Sequence, residues 1–215
     1  MTSRHDRVWL SAAGWQAAAA AVNPEQRAAV ERWAGAGWPL VVRRDDVGTT
    51  DDQVCLGLAE PPDPAGVKRR IALCAARRHI AHTLPALALA DAAPAAPPAW
   101  TDALAALQRA ATDLDLRAYG SLALQAITGQ AYLGAHSDID LLFYPLTQQQ
   151  LHTGLQLLAR HARDLPLDGE IVFPNGAAVA WREWAGADQA GSRVLVKALR
   201  ALRLAPRAAL LASLP

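Results

Sequence analysis

Asp138 and Asp140 stand one residue apart at the head of the apolar run SDIDLLFYP, residues 137–145. In an extended strand, residues i and i+2 project from the same face, about 6–7 Å apart along the chain. Both carboxylates then face one way, while Ile139 and Leu141 face the other, toward a core. Like charges side by side on a sheet repel by roughly a few tenths of a kcal/mol or more. A divalent cation held between them, with its preference for oxygen ligands, removes that repulsion. A solvated strand surface also carries such pairs, so the companions of the pair decide. Gly120-Ser121 ends the preceding run RAYGS; a glycine there lets backbone approach a ligand, and exposed amides hold phosphate. The acids are embedded in apolar residues, as DIDLLF, which puts them on an ordered strand. A later run, LDGEIVF at residues 167–173, again places two acids, Asp168 and Glu170, on one face.

These groups need a scaffold, and the second half of the chain supplies one. TDALAALQRAATD reads as a helix with Thr101 as N-cap, DLRAYGS as a short strand, and SLALQAITG as a helix ended by Gly129. SDIDLLFYP is a strand closed by Pro145, and Thr147 opens the helix TQQQLHTGLQLLARHAR. LDGEIVF is a strand that turns at PNG into a hairpin partner, AAVAWREW, and SRVLVKALRALRL reads as the last long helix. The alternation of helix and strand predicts an α+β (mixed α/β) architecture with a mixed sheet.

The first half reads as smaller. NPEQRAAVERWAGAGW has Asn23 as N-cap, Pro24 at the first helical position, and Val30 and Trp33 facing inward. WPLVVRR and DQVCLGLA form a hairpin across a polar loop. VKRRIALCAARRHIAH reads as a helix, with Val67, Ile71 and Cys74 on its apolar side and arginines on the rest. Between the halves lies TLPALALADAAPAAPPAW, whose prolines fit neither helix interior nor central strand. The expected division is a small N-terminal domain over residues 1–82, a Pro/Ala-rich linker over 83–98 and a second domain over 99–215.

Composition narrows the function. The chain has 215 residues, 52% of them apolar, and a formal charge of +1, which excludes a nucleic-acid coat or a polybasic membrane surface. Cys55 and Cys74 have no metal-ligand spacing and read as free buried thiols of a reducing compartment. No run of about 18 apolar residues or apolar leader is present, so the expected location is the cytosol. Basic residues are nearly all arginine, and Lys68 and Lys197 are the lysines that remain.

A strand ending in Gly-Ser, then Asp-apolar-Asp-apolar, then a later strand with a third acid resembles the polymerase-beta-like nucleotidyltransferase superfamily. In that superfamily the Gly-Ser holds a triphosphate, the paired acids bind two magnesium ions, and the third acid helps to activate the acceptor hydroxyl. By position Gly120 and Ser121 match the first motif and Asp138 and Asp140 the second. Glu170 matches the third, with Asp168 as the alternative. Sixteen residues separate Ser121 from Asp138, more than most of the superfamily has, and this insertion is expected to form a loop or an extended helix beside the site.

A narrower resemblance covers nearly the whole chain. RHDRVWL, GWPLVVRR, the KRRI run, YGSLALQ-ITG-YL-SDIDLLF and LDGEIVFPNG-AVAWREW are similar to the malonate decarboxylase holo-acyl-carrier-protein synthases, also called phosphoribosyl-dephospho-CoA transferases. The resemblance implies a polymerase-beta-like catalytic domain behind a small α+β N-terminal domain. It implies transfer of the prosthetic group from a triphosphoribosyl-dephospho-CoA donor to a serine of the decarboxylase's apo acyl carrier protein, with release of pyrophosphate. It implies a two-metal site of magnesium, or of manganese, held by Asp138, Asp140 and Glu170, and no nucleic-acid or membrane partner.

The remaining candidates each carry a second reading. Lys197 is placed to reach a donor phosphate or is a solvated helix lysine. Lys68, Arg69 and Arg70 fit donor phosphates, an acidic carrier surface or a solvated helix face. Arg43 and Arg44 point opposite ways, so at most one enters a site. His5-Asp6 reads as an N-terminal turn or a polar contact to the donor, Trp181 and Trp184 as core (with stacking on adenine as the other use), and His136, in the loop with Ser137 before the acids, as solvent-exposed or a contact to substrate. Two other functions share these residues: an ATP-using nucleotidyltransferase acting on a small molecule or another protein, and a non-catalytic module that binds CoA or carrier protein. An N-terminal domain disfavours a minimal small-molecule enzyme, and three intact acids disfavour a scaffold.

Overall fold

The computed structural model describes residues 2–187 and 191–215. The chain divides into two compact units, residues 1–86 and 87–215.

Unit 1 opens with strand β1 (Arg7–Leu10), followed by α1 (Ala12–Ala21) and α2 (Pro24–Gly35). Then come β2 (Leu40–Val42), β3 (Gln53–Ala59), β4 (Arg70–Ala76) and β5 (Ile80–Leu84). The strands form one sheet in the order β4-β3-β2-β1-β5, antiparallel throughout. As expected, Asn23 caps α2 by accepting from the Gln26 amide, Pro24 is its first residue, and Val30 and Trp33 are buried. The β2–β3 hairpin also forms where the sequence placed it.

One expectation for this unit fails. Residues 67–82, read as a helix, contain β4 and β5. Along β4, Ile71, Leu73 and Ala75 are buried while Arg70, Ala72 and Cys74 are exposed, a period of two. Cys74 is therefore not buried, although Cys55, its direct partner on β3, is. Lys68 and Arg69 lie in the approach to β4 and Arg70 is its first residue, so none of them sits on a helix.

Unit 2 begins within the stretch read as a linker. Leu87–Ala88 form strand β6, followed by α3 (Leu89–Ala92) and two short 3-10 turns, Ala93–Ala95 and Pro98–Trp100. Leu89 and Ala92 are 3% and 0% exposed and belong to the unit's core. The prolines stop long elements here but permit short ones.

Helix α4 (Thr101–Ala110), strand β7 (Asp115–Ala118), helix α5 (Gly120–Thr128) and strand β8 (Ile139–Tyr144) come next. Then follow α6 (Gln148–His161), β9 (Leu167–Val172), β10 (Ala178–Ala180) and α7 (Trp181–Gly186). The described chain ends with β11 (Arg193–Lys197), β12 (Leu202–Pro206) and α8 (Arg207–Leu211). The segment SRVLVKALRALRL, read as a helix, is thus the β11–β12 hairpin. Val194 and Val196 are buried while their neighbours are not, which is strand periodicity.

The seven strands run in the order β12-β11-β10-β9-β8-β7-β6. Neighbours are antiparallel except β8 and β9, which are parallel and joined through α6. One face of this mixed sheet, with Leu116, Ile139, Leu141, Phe143, Ile171, Val179, Val194 and Val196, packs in a single apolar cluster with Leu104, Leu107, Leu122, Leu151, Leu158, Trp184 and Leu210 from the helices. Each unit therefore has its own sheet, and the molecule has the mixed α+β character that the sequence predicts. Among the described residues, no helix is long and apolar enough to cross a membrane.

Candidate active site

Period-two geometry sends the alternate residues of unit 2's strands to the second face of the sheet. On β8 these are Asp140, Leu142 and Tyr144; on β9, Asp168, Glu170 and Val172. The parallel register sets Asp140 directly beside Asp168 and Leu142 beside Glu170. Asp138 lies one residue before β8. Carboxylate oxygens of Asp138, Asp140 and Asp168 all lie within 4.8 Å of one another.

Two glycines make this convergence sterically attainable. Gly169, between the two β9 acids, has φ +134°, and a Cβ there would overlap the carbonyl oxygen of Leu141 on β8. Gly120 has φ +64°, and a Cβ there would overlap Oδ2 of Asp140. Gly120 is also the first residue of α5, and Tyr119, its N-cap, donates its amide to the Asp140 carbonyl at 3.0 Å. Tyr119 gives α5 no side-chain cap, and the helix has no acid in its first turn. The amides at this helix start, with the positive end of the helix dipole, form a site for an anion. The structure thus sets Gly120, at the start of α5, against the Asp140 carboxylate.

The insertion between the motifs is an ordered loop, not an extended helix. Gly129 ends α5 in the left-handed conformation. The Gln125 side-chain oxygen then accepts from the amides of Tyr132 and Leu133, at 3.0 and 3.1 Å, and its nitrogen donates to the Ala95 carbonyl at 2.7 Å. Ser137 closes the loop by accepting from the Gly134 amide at 2.9 Å, while His136 is exposed.

Glu170 takes a different place from the one assigned to it. Only 4% exposed, it accepts from Lys197 Nζ at 2.9 Å, and the acid gathered with Asp138 and Asp140 is Asp168. Lys197 ends strand β11 and does not sit on a helix. The sequence reading missed Arg117, whose β7 position pairs with Leu142. Its guanidinium bonds Asp115 at 2.9 Å and covers the Tyr144 ring at 5.7 Å. The i,i+2 rule that singled out Asp138 and Asp140 also marks Asp115 and Arg117 as sharing a face.

Lys68 and Arg70 belong to unit 1. Arg69 and Arg70 line a cleft of about 360 Å³ with Glu25 and Glu60, and Glu60 is paired with Arg32 at 2.5 Å. Arg43 is held by Asp46, at 2.5 Å, and the two guanidinium hydrogen bonds keep that carboxyl below its usual range. His5 and Asp6 form the expected turn: Asp6 donates its amide to the Ser3 carbonyl, and its side chain accepts from the Ser3 amide at 2.7 Å. Trp181 and Trp184 are core residues, 4% and 0% exposed.

Three oxygen donors within reach of one ion fit a hard divalent cation such as magnesium or manganese. An anion-binding helix start beside them fits a phosphorylated ligand. Comparison with known proteins gives the same direction. The family described as Phosphoribosyl-dephospho-CoA transferase MdcG N-terminal domain matches residues 3–86, and its C-terminal domain counterpart matches residues 87–208. The phosphoribosyl-dephospho-CoA transferase of Xanthomonas campestris pv. campestris (strain 8004) is 44% identical over 98% of this chain and 97% of its own. That of Bradyrhizobium diazoefficiens (strain JCM 10833 / BCRC 13528 / IAM 13628 / NBRC 14792 / USDA 110) is 35% identical over 95% of this chain and 90% of its own. No solved structure matches the chain. With both domains matched in order along a single chain, the protein belongs to the phosphoribosyl-dephospho-CoA transferase family.

Proposed function

We propose that this transferase moves the phosphoribosyl-dephospho-CoA group from its triphosphate precursor to a serine hydroxyl on the apo acyl carrier protein of malonate decarboxylase, in the cytosol. The observation that carries this reading is the gathering of Asp138, Asp140 and Asp168 within 4.8 Å, against the start of α5 at Gly120. In the reaction, the serine oxygen bonds to the α-phosphorus of the donor. The bond from that phosphorus to the oxygen bridging to the β-phosphorus breaks, and pyrophosphate leaves with the bonding electrons. The serine proton passes to a carboxylate, and Asp168 is placed for this on the strand farther from α5.

The amides of Gly120 and Ser121 bind the departing pyrophosphate, with the α5 dipole behind them. Asp138, Asp140 and Asp168 would hold magnesium or manganese, which supplies charge neutralisation and Lewis-acid activation when bound. Lys197, anchored by Glu170 at 2.9 Å, presents a cation on the same side of the sheet.

The test is incubation of the protein with triphosphoribosyl-dephospho-CoA and apo carrier protein, read by mass spectrometry and pyrophosphate release. One added prosthetic group on one serine, abolished by chelation and restored by magnesium, is the expected result. Transfer from ATP but not from this donor, or pyrophosphate release without a modified serine, overturns the reading.

A further inference from the structure

We propose that the outer side of the β11–β12 hairpin is the docking surface for the acceptor protein, and that it recognises an acidic, apolar-tipped surface beside the acceptor serine. This rests on the transferase reading above. The hairpin's inner side is ordinary core: Val194, Val196 and Ala205 are at most 1% exposed. Its outer side is unusual. Register pairs Leu195 with Leu204 and Lys197 with Leu202. Leu202 and Leu204 are 49% and 57% exposed, and both sit on β12, the last strand of the sheet. Exposed leucines on an edge strand promote association, and proteins that keep them usually cover them with a partner.

Charge narrows the partner. From Arg193 to Arg207 the chain carries Arg193, Lys197, Arg200, Arg203 and Arg207, and from Gly191 to Pro215 it contains no aspartate or glutamate. Arg193 and Arg200 are exposed, Arg193 on the outer side opposite Pro206, whereas Arg203, opposite Val196, projects from the other face. Arg193 bridges back to the Leu204 carbonyl at 3.0 Å, which fixes a cation beside that leucine. Lys197 is matched by Glu170, and Glu183 accepts from the Leu195 amide at 2.7 Å, so the basic character of the outer side rests on Arg193 and Arg200. Such a surface is complementary to acidic residues flanking an apolar contact, and charges of this kind steer encounter and fix register.

Position supplies the second argument. In an in-line displacement at phosphorus the entering and leaving oxygens lie on opposite sides. The pyrophosphate belongs at the α5 start, which abuts Asp140 from the β7 side of the sheet. The acceptor then arrives from the other side, over β9, β10 and the hairpin beyond. Along that route β10 presents the small side chains of Ala178 and Ala180 on the second face, with the Lys197–Glu170 pair between the acids and the leucines.

The decisive experiment uses the full chain with Arg193→Glu, Leu204→Asp and the double variant. Binding is measured to apo carrier protein whose acceptor serine is alanine, and transfer kinetics are measured with wild-type carrier. The expected result is a KM and Kd for carrier raised about tenfold or more, an unchanged KM for the donor, kcat retained at saturating carrier, and an unchanged Tm. Wild-type binding should weaken as salt rises, and the Arg193→Glu variant should show a shallower salt dependence. Asp138→Asn separates the two readings: it should lose transfer yet bind carrier normally. Unchanged carrier affinity in the double variant overturns the docking proposal. So does an effect on donor KM alone, which would make the edge a shelf for the donor. A concentration-dependent dimer abolished by Leu204→Asp, with carrier affinity intact, also overturns it by giving the edge to a second copy.

Discussion

Asp168 and Glu170 share a strand and a face, and their surroundings give them different work. Asp168 lies beside Asp140 in register, where three carboxylates within 4.8 Å repel one another until a cation joins them. Glu170 is buried and faced by Lys197. Asp168→Asn should therefore reduce transfer by about 10³-fold or more and leave Tm unchanged or slightly higher, because it removes a like charge. Lys197→Met should do something else as well. It takes the lysine partner from a carboxylate that is 4% exposed. The lysine side chain is 34% exposed, so solvent screening reduces the loss to about 2 kcal/mol. Thermal unfolding should register a drop of about 4–8 °C, and the double change with Glu170→Gln should recover much of it. If Asp168→Asn keeps full transfer while Glu170→Gln abolishes it, the roles are reversed. Elsewhere, although Cys74 is exposed as a residue, partial desolvation of its sulfur against the sheet is the largest influence pushing the thiol above its usual range, with Cys55 across the ladder adding to it. Its thiolate fraction at neutral pH is correspondingly low. Alkylation of Cys74 by iodoacetamide, followed by mass, should still be accelerating at pH values where an ordinary thiol has levelled off. A rate that plateaus with a free thiol would contradict this.

At the scale of elements, the acid-bearing parts were legible, and two pairs of strands, read as helices, were not. The strands of Asp140 and Glu170 were identified because polar residues punctuate their apolar runs and because Pro145, Thr147 and Gly129 mark the neighbouring ends. The two segments misread as helices, residues 70–84 and 193–206, contain apolar residues on both faces, while WREW, read as strand, forms α7. Ala72 and Cys74 point outward on β4, and Leu195 lies on the outer side of β11, so alternation in burial is not alternation in residue type. Alanine and arginine, both good helix formers, then tip the reading toward helix. The choice of Asp168 over Glu170 was also out of reach, since it depends on the parallel register of β8 and β9. A clue was present in the matched openings Ile139-Asp140 and Leu167-Asp168. The α5 start is the element most exposed to a small change. Gly120 holds φ +64° with the space for a Cβ already taken by the Asp140 carboxylate. Gly120→Ala must shift either the helix or the acid. A misplacement of about 1 Å costs roughly 10²-fold in rate, and kcat should fall by about that much while circular dichroism stays native. Full activity in this variant would show that the amides at the helix start do not touch the donor.

For the whole molecule, the placement of the Pro/Ala-rich stretch decides where the catalytic unit starts. Read from composition, residues 83–98 connect two domains. In the structure, Leu87–Ala88 pair with β7, Leu89 and Ala92 enter the core, and the Ala95 carbonyl accepts from Gln125. Gln125 is the same side chain that ties down the loop leading to Asp138, so the stretch supports the site as well as the core. The sheet and core of residues 87–215 draw on no strand from unit 1, so a chain starting at 87 should fold by itself. One starting at 99 gives up the burial of Leu89, the β6 edge and the Gln125–Ala95 bond, together worth about 3 kcal/mol or more. At roughly 4 °C per kcal/mol, its Tm should fall at least ten degrees below that of the longer fragment, and amide exchange should quicken first between residues 129 and 138. Equal melting temperatures for the two fragments would return the stretch to the status of a connector and leave the loop before Asp138 without its support.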